Sequence, residues 1–241
     1  MKYGILGDIH SNIEALEAVI AHLQSAGVER LLSVGDVVGY GANPIECIEL
    51  LQSMEVVVVS GNHDQAVTGK LNDAFFNLPA KTAVAWTKKL LKSNHMDWLR
   101  ALPMVVIVDD SISVAHATFY RPEAFDYIQS YLDAAESLNV LTTPVGFLGH
   151  SHVPAAFLKG ESLLYSGASK LNLRDISKAI INVGSIGQPR DENPKAACGI
   201  YDAEAHTYEL HRVTYDINKA ARAISDAGLP EMLGTRLTIG R

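Results

Sequence analysis

Short apolar runs alternate with amphipathic stretches through the first 60 residues of the chain. Residues 3–6, 31–34 and 56–59 are rich in branched apolar side chains and predict three buried strands. Residues 13–23 carry apolar side chains at helical spacing, and a second helix is predicted to open at 43–46. The alternation of strands and helices predicts right-handed crossovers and a parallel sheet at the start of the chain.

The starts and ends of these helices have local signals. Ser11 and Glu14 have the spacing of a capping box, so the first helix is predicted to begin directly after Ser11. Gly27 is expected to end that helix, since glycine accepts a left-handed backbone without strain. Pro44 suits the first turn of the second helix, where its missing N–H is not needed.

The remainder of the chain predicts more helix and then a series of short strands. Residues 65–102 are expected to be mostly helical, residues 105–108 and 112–115 to form a hairpin, and residues 122–138 to form another helix. Short strands are predicted at 145–148, 155–158, 162–166, 179–183, 198–202 and 207–213, in a second and mainly antiparallel sheet. A helix over 216–228 and a tail over 229–241 complete one domain, residues 1–241, with two sheets around one core and helices outside.

Composition narrows the class of protein. The 241 residues are 48% hydrophobic and 20% charged, with a net charge of −7 and no run of Lys or Arg. Stable nucleic-acid binding is therefore not expected. The chain has no apolar run of about 18 residues and no signal-peptide pattern, so we expect no membrane span and a cytoplasmic protein. The two cysteines, Cys47 and Cys198, lie in apolar patterns and are interpreted as core residues.

Carboxylates, imidazoles and one amide recur where predicted strands end. The candidate metal ligands are Asp8, His10, Asp36, Asn62, His116, His150 and His152. Each alone has an ordinary interpretation, as a turn, a helix cap or a core histidine. Together, seven oxygen and nitrogen ligands suit two divalent ions about 3.5–4 Å apart, which we expect to be manganese, zinc, iron or nickel. Of the nine histidines, His63 lies within one of these clusters, and the remaining four, His22, His95, His206 and His211, are interpreted as surface residues.

These clusters resemble a known family. Asp8-x-His10, Gly35-Asp36, Gly61-Asn62-His63-Asp64, His116 and Gly149-His150-x-His152 resemble, in order and spacing, the calcineurin-like metallophosphoesterase superfamily. Segments 35–41 and 182–191 resemble its small prokaryotic phosphodiesterase-like branch, which is related to diadenosine tetraphosphatases. Two positions depart from the family pattern: Ala117-Thr118-Phe119 follows His116, and Val183 stands where proline is common.

The resemblance implies a fold and a role for each of the candidate site residues. It implies an α/β protein, a four-layer α/β/β/α sandwich of two mixed sheets with flanking helices. One metal would be held by Asp8, His10 and His152, the other by Asn62, His116 and His150, with Asp36 between them. His63 would face the substrate, where it could protonate the leaving oxygen or bind a phosphoryl oxygen.

Several roles near the centre have two interpretations. Asp64 is a candidate catalytic residue that could hydrogen-bond His63 and raise its pKa, or else a helix N-cap residue. Asn12 and Arg190 are candidate phosphate contacts, or else a helix-start residue and a surface arginine. Tyr40 could approach the site or close the core. Aromatic side chains between the clusters could stack a nucleobase, although packing in the core is the commoner role: Phe75, Phe76, Phe119, Tyr120, Phe125 and Tyr127.

The favoured function is a metal-dependent phosphodiesterase for small nucleotide-type substrates, with a hydroxide held by two metals as the nucleophile. A phosphomonoesterase or a dinucleoside polyphosphate hydrolase would use the same chemistry. A non-catalytic scaffold of the same fold is the third alternative, and the presence of His63 argues against it. Oligomeric state stays open.

Overall fold

A computed structural model describes residues 1–159 and 170–241, so the strand predicted at 162–166 lies outside the described residues. Eleven strands are found in this part of the chain: β1 (Lys2–Leu6), β2 (Arg30–Ser33), β3 (Val57–Val58), β4 (Val105–Val108), β5 (Ile112–Ala115), β6 (Val145–Leu148), β7 (Ala155–Leu158), β8 (Lys170–Asn172), β9 (Ala179–Asn182), β10 (Ala196–Asp202) and β11 (Thr207–Val213).

The same residues contain eight α-helices: α1 (Ile13–Ser25), α2 (Pro44–Ser53), α3 (Asn62–Thr68), α4 (Leu78–Leu90), α5 (Ser93–Ala101), α6 (Tyr131–Val140), α7 (Ile217–Asp226) and α8 (Glu231–Ile239). Two short 3₁₀ helices cover Asp73–Phe75 and Pro122–Ala124. None of the described helices has both the length and the apolar character needed to cross a membrane.

The strands form two mixed sheets. The first has the order β3-β2-β1-β10-β11-β8, with β1, β2 and β3 parallel as the sequence predicts. The second has the order β4-β5-β6-β9-β7, in which β5, β6 and β9 are parallel and the two outer strands are antiparallel.

The prediction for the C-terminal half was therefore wrong in two respects. β10 and β11 do not extend the second sheet, because β10 pairs antiparallel along the whole of β1, from Lys2 opposite Asp202 to Leu6 opposite Cys198. The second sheet is also more parallel than expected. An apolar strand pattern identifies a buried strand but carries no information about its partner.

Apolar packing orders these elements in four layers. Ile5 and Leu32 of the first sheet share a core with Val114, Phe147 and other inner residues of the second. On the outer face of the first sheet lie α1 to α5, with α1 and α2 packed around Leu6 and Cys198. α6 covers the outer face of the second sheet. The predicted α/β/β/α sandwich is confirmed.

The predicted starts of two helices need correction. α1 begins at Ile13 with Asn12 as its N-cap, one residue later than expected, and Gly27 follows its end at φ 73° as predicted. The helix predicted over 122–138 starts only at Tyr131, where Ser130 and the third helical residue form a capping box.

The predicted tail is a helix as well. α8 packs Leu233 and Leu237 against Ala220 and Ile224 of α7, in an apolar cluster that also includes Tyr40. His95 is likewise not a surface residue. It is 1% exposed, its Nδ1 accepts a hydrogen bond from the Lys92 backbone at 3.4 Å, and its Nε2 lies 3.4 Å from Glu49.

Candidate metal centre and cleft

The predicted ligands follow the carboxyl ends of parallel strands in both sheets. Asp8 comes after β1, Asp36 after β2, and His150 after β6. The two sheet edges meet because the backbone N–H of His150 donates to both carboxylate oxygens of Asp8, at 2.9 and 3.1 Å. A bridge between Asp8 and Ser185 adds the loop after β9 to the same place.

The structure brings the predicted ligands together in two groups that share Asp36. Asp8, His10, Asp36 and His152 form the first group, and Asp36, His116 and His150 form the second. Within each group one donor atom per residue lies within 4.8 Å of every other. Asn62 joins the second group, its Oδ1 being 3.0 Å from His116 Nε2. This arrangement has the grouping that the resemblance implies, and the ligand roles themselves stay predictions.

Hydrogen bonds to backbone carbonyls orient the rings of the first group. His10 Nδ1 lies 3.1 Å from the Val38 carbonyl, and His152 Nδ1 lies 2.6 Å from the Gln188 carbonyl. A carbonyl oxygen only accepts, so each Nδ1 carries the proton and each Nε2 keeps its lone pair. The two Nε2 atoms face each other at 3.0 Å. Two lone pairs at this distance repel, and a cation between them turns the repulsion into attraction.

In the second group a backbone carbonyl orients one of the two rings, that of His116. His116 Nδ1 donates to the Val34 carbonyl at 2.9 Å, which in the neutral ring puts the lone pair on Nε2. That atom faces Asn62 Oδ1 and, at 3.1 Å, His150 Nδ1. Carbonyl-oriented imidazoles with converging lone pairs are typical of histidines that ligate metals. Both donor sets therefore fit divalent cations.

Burial has opposite effects on the acids and the imidazoles of this centre. Desolvation lowers the pKa of His10, His150 and His152 well below the ordinary histidine value, which keeps them in the neutral form that binds metal. Desolvation raises the pKa of Asp8 to about 7 and that of Asp36 well above its usual range. The carboxylates therefore need nearby positive charge to ionise fully at neutral pH.

The backbone at the centre is strained. Four of the seven predicted ligands have left-handed φ values: His10 at 49°, Asp36 at 47°, His150 at 68° and His152 at 60°. Such a conformation costs about 1–3 kcal/mol for a residue other than glycine, and it persists where the surroundings fix it. Strain shared by residues from three different loops marks a functional site.

His63 lies beside the shared carboxylate. Its backbone N–H donates to Asp36 Oδ1 at 2.9 Å, and its ring packs 4.5 Å from Tyr40 and 4.8 Å from Phe76. Gly39, at φ 94°, leaves room for this ring, because a Cβ there would overlap the His63 imidazole. Burial lowers the pKa of His63.

Asp64 does not have the contact predicted for it. Its Oδ1 accepts from the Val38 backbone at 3.1 Å, and its Oδ2 accepts from the Gly61 backbone at 2.9 Å. Both oxygens are therefore occupied by backbone amides, and His63 Nδ1 finds no hydrogen-bond partner among the described residues. Asp64 is the third residue of α3 and binds the backbone N–H of the N-cap Gly61, so it stabilises the helix start without being the N-cap itself.

The two predicted phosphate contacts have different surroundings. Asn12 caps α1, with Oδ1 accepting from the Ala15 backbone at 3.1 Å and Nδ2 donating to the Gly187 carbonyl at 3.0 Å. Its polar atoms are used within the fold, so its predicted substrate role is replaced by a structural one. Arg190 instead lines the cleft beside the centre. Its guanidinium donates to Gln188 Oε1 at 3.0 Å and to the Tyr40 hydroxyl at 3.3 Å.

The cleft over the centre has a volume of about 360 Å³. Asp36, Asn62, His63 and His150 form part of its floor, and Arg190 is the one Lys or Arg among the described residues that line it. Gln188 is the residue that sequence reasoning missed, since it orients both His152 and Arg190. The signal for it is its place in segment 182–191, whose resemblance to the family branch assigns no role to this side chain.

Comparisons with known proteins give a family model and a sequence relative that match most of the chain. A family model described as calcineurin-like phosphoesterase superfamily domain matches residues 1–206. An uncharacterised protein of Methanocaldococcus jannaschii is 40% identical over 242 residues, which is 98% of this chain and 97% of the relative.

Solved structures extend the comparison over the whole chain. A metallophosphoesterase from Sphaerobacter thermophilus has a TM-score of 0.89 at 36% identity, covering 100% of this chain and 99% of that one. A hypothetical protein of Pyrococcus horikoshii shares the fold, with a TM-score of 0.82 at 21% identity and coverage of 100% and 98%. By its sequence match and its fold, the chain belongs to the calcineurin-like phosphoesterase superfamily.

Proposed function

We propose that this protein is a metal-dependent phosphodiesterase that acts on small nucleotide-type substrates. The observation that carries the proposal is the pair of facing Nε2 atoms of His10 and His152, beside a second donor group that shares Asp36. Two divalent cations, when bound, supply positive charge for phosphoryl oxygens and lower the pKa of a bound water. His63 and Arg190 orient the substrate and supply hydrogen bonds.

His63 is assigned to the substrate oxygens. Its backbone bond to Asp36 places the ring next to the centre, and Gly39 and Tyr40 restrict where the ring can lie. Because burial lowers its pKa, the imidazole is neutral and carries one N–H. We therefore assign His63 to donate a hydrogen bond to a phosphoryl oxygen or to the leaving oxygen, where negative charge grows during the reaction.

Arg190 is assigned to a phosphoryl oxygen on the cleft side. Gln188 and Tyr40 each accept one of its hydrogen bonds, and the guanidinium lies 5.6 Å from the centre of the Tyr40 ring. These contacts hold the planar donor group in one orientation at the edge of the cleft. A fixed guanidinium binds phosphate through strong, directional hydrogen bonds.

The charge and the volume of the cleft distinguish the alternative functions. A dinucleoside polyphosphate carries several phosphates, whereas the described cleft offers one cationic side chain besides the predicted metal centre. A phosphomonoester has a single organic group and needs little of the 360 Å³ available. A scaffold would not need a complete donor set or His63. One phosphate with two organic substituents fits the cleft best.

The test compares bis(p-nitrophenyl) phosphate, p-nitrophenyl phosphate and a dinucleoside tetraphosphate, each with added manganese, zinc, iron or nickel. We expect the diester to have the highest kcat/KM. A strong preference for the monoester or for the tetraphosphate would replace the proposal with the corresponding alternative. No turnover of any substrate with any of the four metals would favour a scaffold.

A further inference from the structure

Tyr127 forms an aromatic surface in the cleft. Its ring stacks on the His150 imidazole, with centroids 4.1 Å apart and planes inclined by 22°. The residue is nevertheless 50% exposed and lines the cleft. A ring that is supported on one side and open on another is a platform for stacking a planar group.

The segment that carries Tyr127 is strained. Arg121 has φ 52° and Phe125 has φ 53°, and a bulky aromatic residue in this region is a conformational outlier. Phe125 is 8% exposed and packs edge-on to His116 at 5.9 Å, so it anchors the segment to the second donor group. The strained conformation thus places one ring under the segment and a second ring, that of Tyr127, in the cleft.

Two asparagines on another part of the cleft lining supply hydrogen-bond donors. Asn72 caps the 3₁₀ helix Asp73–Phe75, its Oδ1 accepting from the Ala74 backbone at 2.9 Å. Asn77 caps α4 in the same way, through the Ala80 backbone at 3.0 Å. Because capping uses each Oδ1, the Nδ2 group is the donor that each side chain has left. Both residues line the cleft.

We propose that the cleft is a nucleobase subsite, in which the base stacks on Tyr127 and its carbonyl oxygens accept from the amide groups of Asn72 and Asn77. This inference rests on the proposed phosphodiesterase function and names its substrate class, a phosphodiester with at least one nucleoside substituent. Thymine and guanine carry carbonyl acceptors of the required kind. A dialkyl phosphate would leave the aromatic surface and both amides unused.

The test uses two diesters with the same leaving group, thymidine 5′-(p-nitrophenyl phosphate) and ethyl p-nitrophenyl phosphate. We expect wild-type protein to prefer the thymidine ester by about 10-fold or more in kcat/KM, in line with the usual value of base stacking. Tyr127→Phe keeps the preference and Tyr127→Leu abolishes most of it. Tyr131→Leu, at an exposed tyrosine outside the cleft lining, is the matched control and keeps it. The ratio cancels any effect of Tyr127 on His150, because both esters use the same centre.

Equal turnover of the two esters by wild-type protein would overturn the subsite while leaving the phosphodiesterase proposal intact. If neither diester is hydrolysed, the proposed function fails. The subsite is then tested separately by measuring ligand binding. Calorimetry on manganese-loaded protein would compare thymidine 5′-phosphate with ethyl phosphate. We expect Tyr127→Leu to weaken the binding of thymidine 5′-phosphate about 10-fold more than the binding of ethyl phosphate. Equal weakening of both ligands, or of neither, would contradict the subsite.

Discussion

In the metal-free protein, Asp8 should contribute stability that falls as the pH rises, which is the reverse of the usual carboxylate effect. Asp8 is 0% exposed, and burial raises its pKa from the ordinary value of 3.8 to about 7. Between these two values Asp8 holds a proton in the folded chain that it has released in the unfolded chain, so its contribution to the free energy of unfolding decreases with pH. Three pKa units correspond to ~4 kcal/mol, present below about pH 4 and lost by about pH 7.

The measurement is urea unfolding in excess chelator from pH 4 to pH 8. The reference is Asp8→Asn, which is neutral throughout and shares every other titrating group, including the buried Asp64. We expect the free energy of unfolding of the variant minus that of wild type to grow by up to ~4 kcal/mol across this range. Manganese at about 100 times its Kd should add ~2.7 kcal/mol to wild type and less to the variant. A difference that stays constant with pH would refute the proposed desolvation of Asp8.

Three further substitutions test individual roles. His63→Ala should retain both metals but lose about 10²–10⁴-fold in kcat, and loss of an ion in elemental analysis would contradict its assignment to the substrate. Asp36→Asn should weaken the binding of both ions by more than about 10-fold, and anomalous scattering that shows one site fully occupied would exclude a shared ligand. Gly39→Ala should lower both stability, by ~1–2 kcal/mol in urea unfolding, and turnover, since its Cβ overlaps the His63 ring at a positive φ. Unchanged stability and turnover would show that the loop relaxes freely.

Much of the fold could be predicted from the sequence because its signals are local. The apolar runs before Asp8, Asp36 and Asn62 define buried strands, and the parallel order of those strands places three polar clusters at one edge. The hairpin of β4 and β5 follows in the same way from two apolar runs and a turn. The four-layer arrangement came from the family resemblance, not from the residues alone.

The errors in the sequence-based predictions concern mainly which helices, strands and side chains contact each other, and less which helices and strands form. β10 has the pattern of a buried strand in either sheet, and only its pairing with β1 decides between them. The sequence predicts a tail in place of α8, because the apolar side chains of α8, including Leu233 and Leu237, are buried by packing on α7, which the sequence does not show. The role of Asp64 depended on which neighbour its oxygens reach, and spacing in the sequence does not distinguish a side chain from a backbone amide.

The place of β1 between β2 and β10 has a consequence for the order of folding. β2 follows β1 closely along the chain, whereas β10 and the loops that carry His150 and His152 are separated from it by most of the described sequence. Pairing over such separations is slow, because the chain loses entropy before the contacts form. We therefore expect Asp8 to contact His150 and Ser185 late in folding. Uptake of metal should report the last step of folding, and an excess of metal should not speed the steps before it.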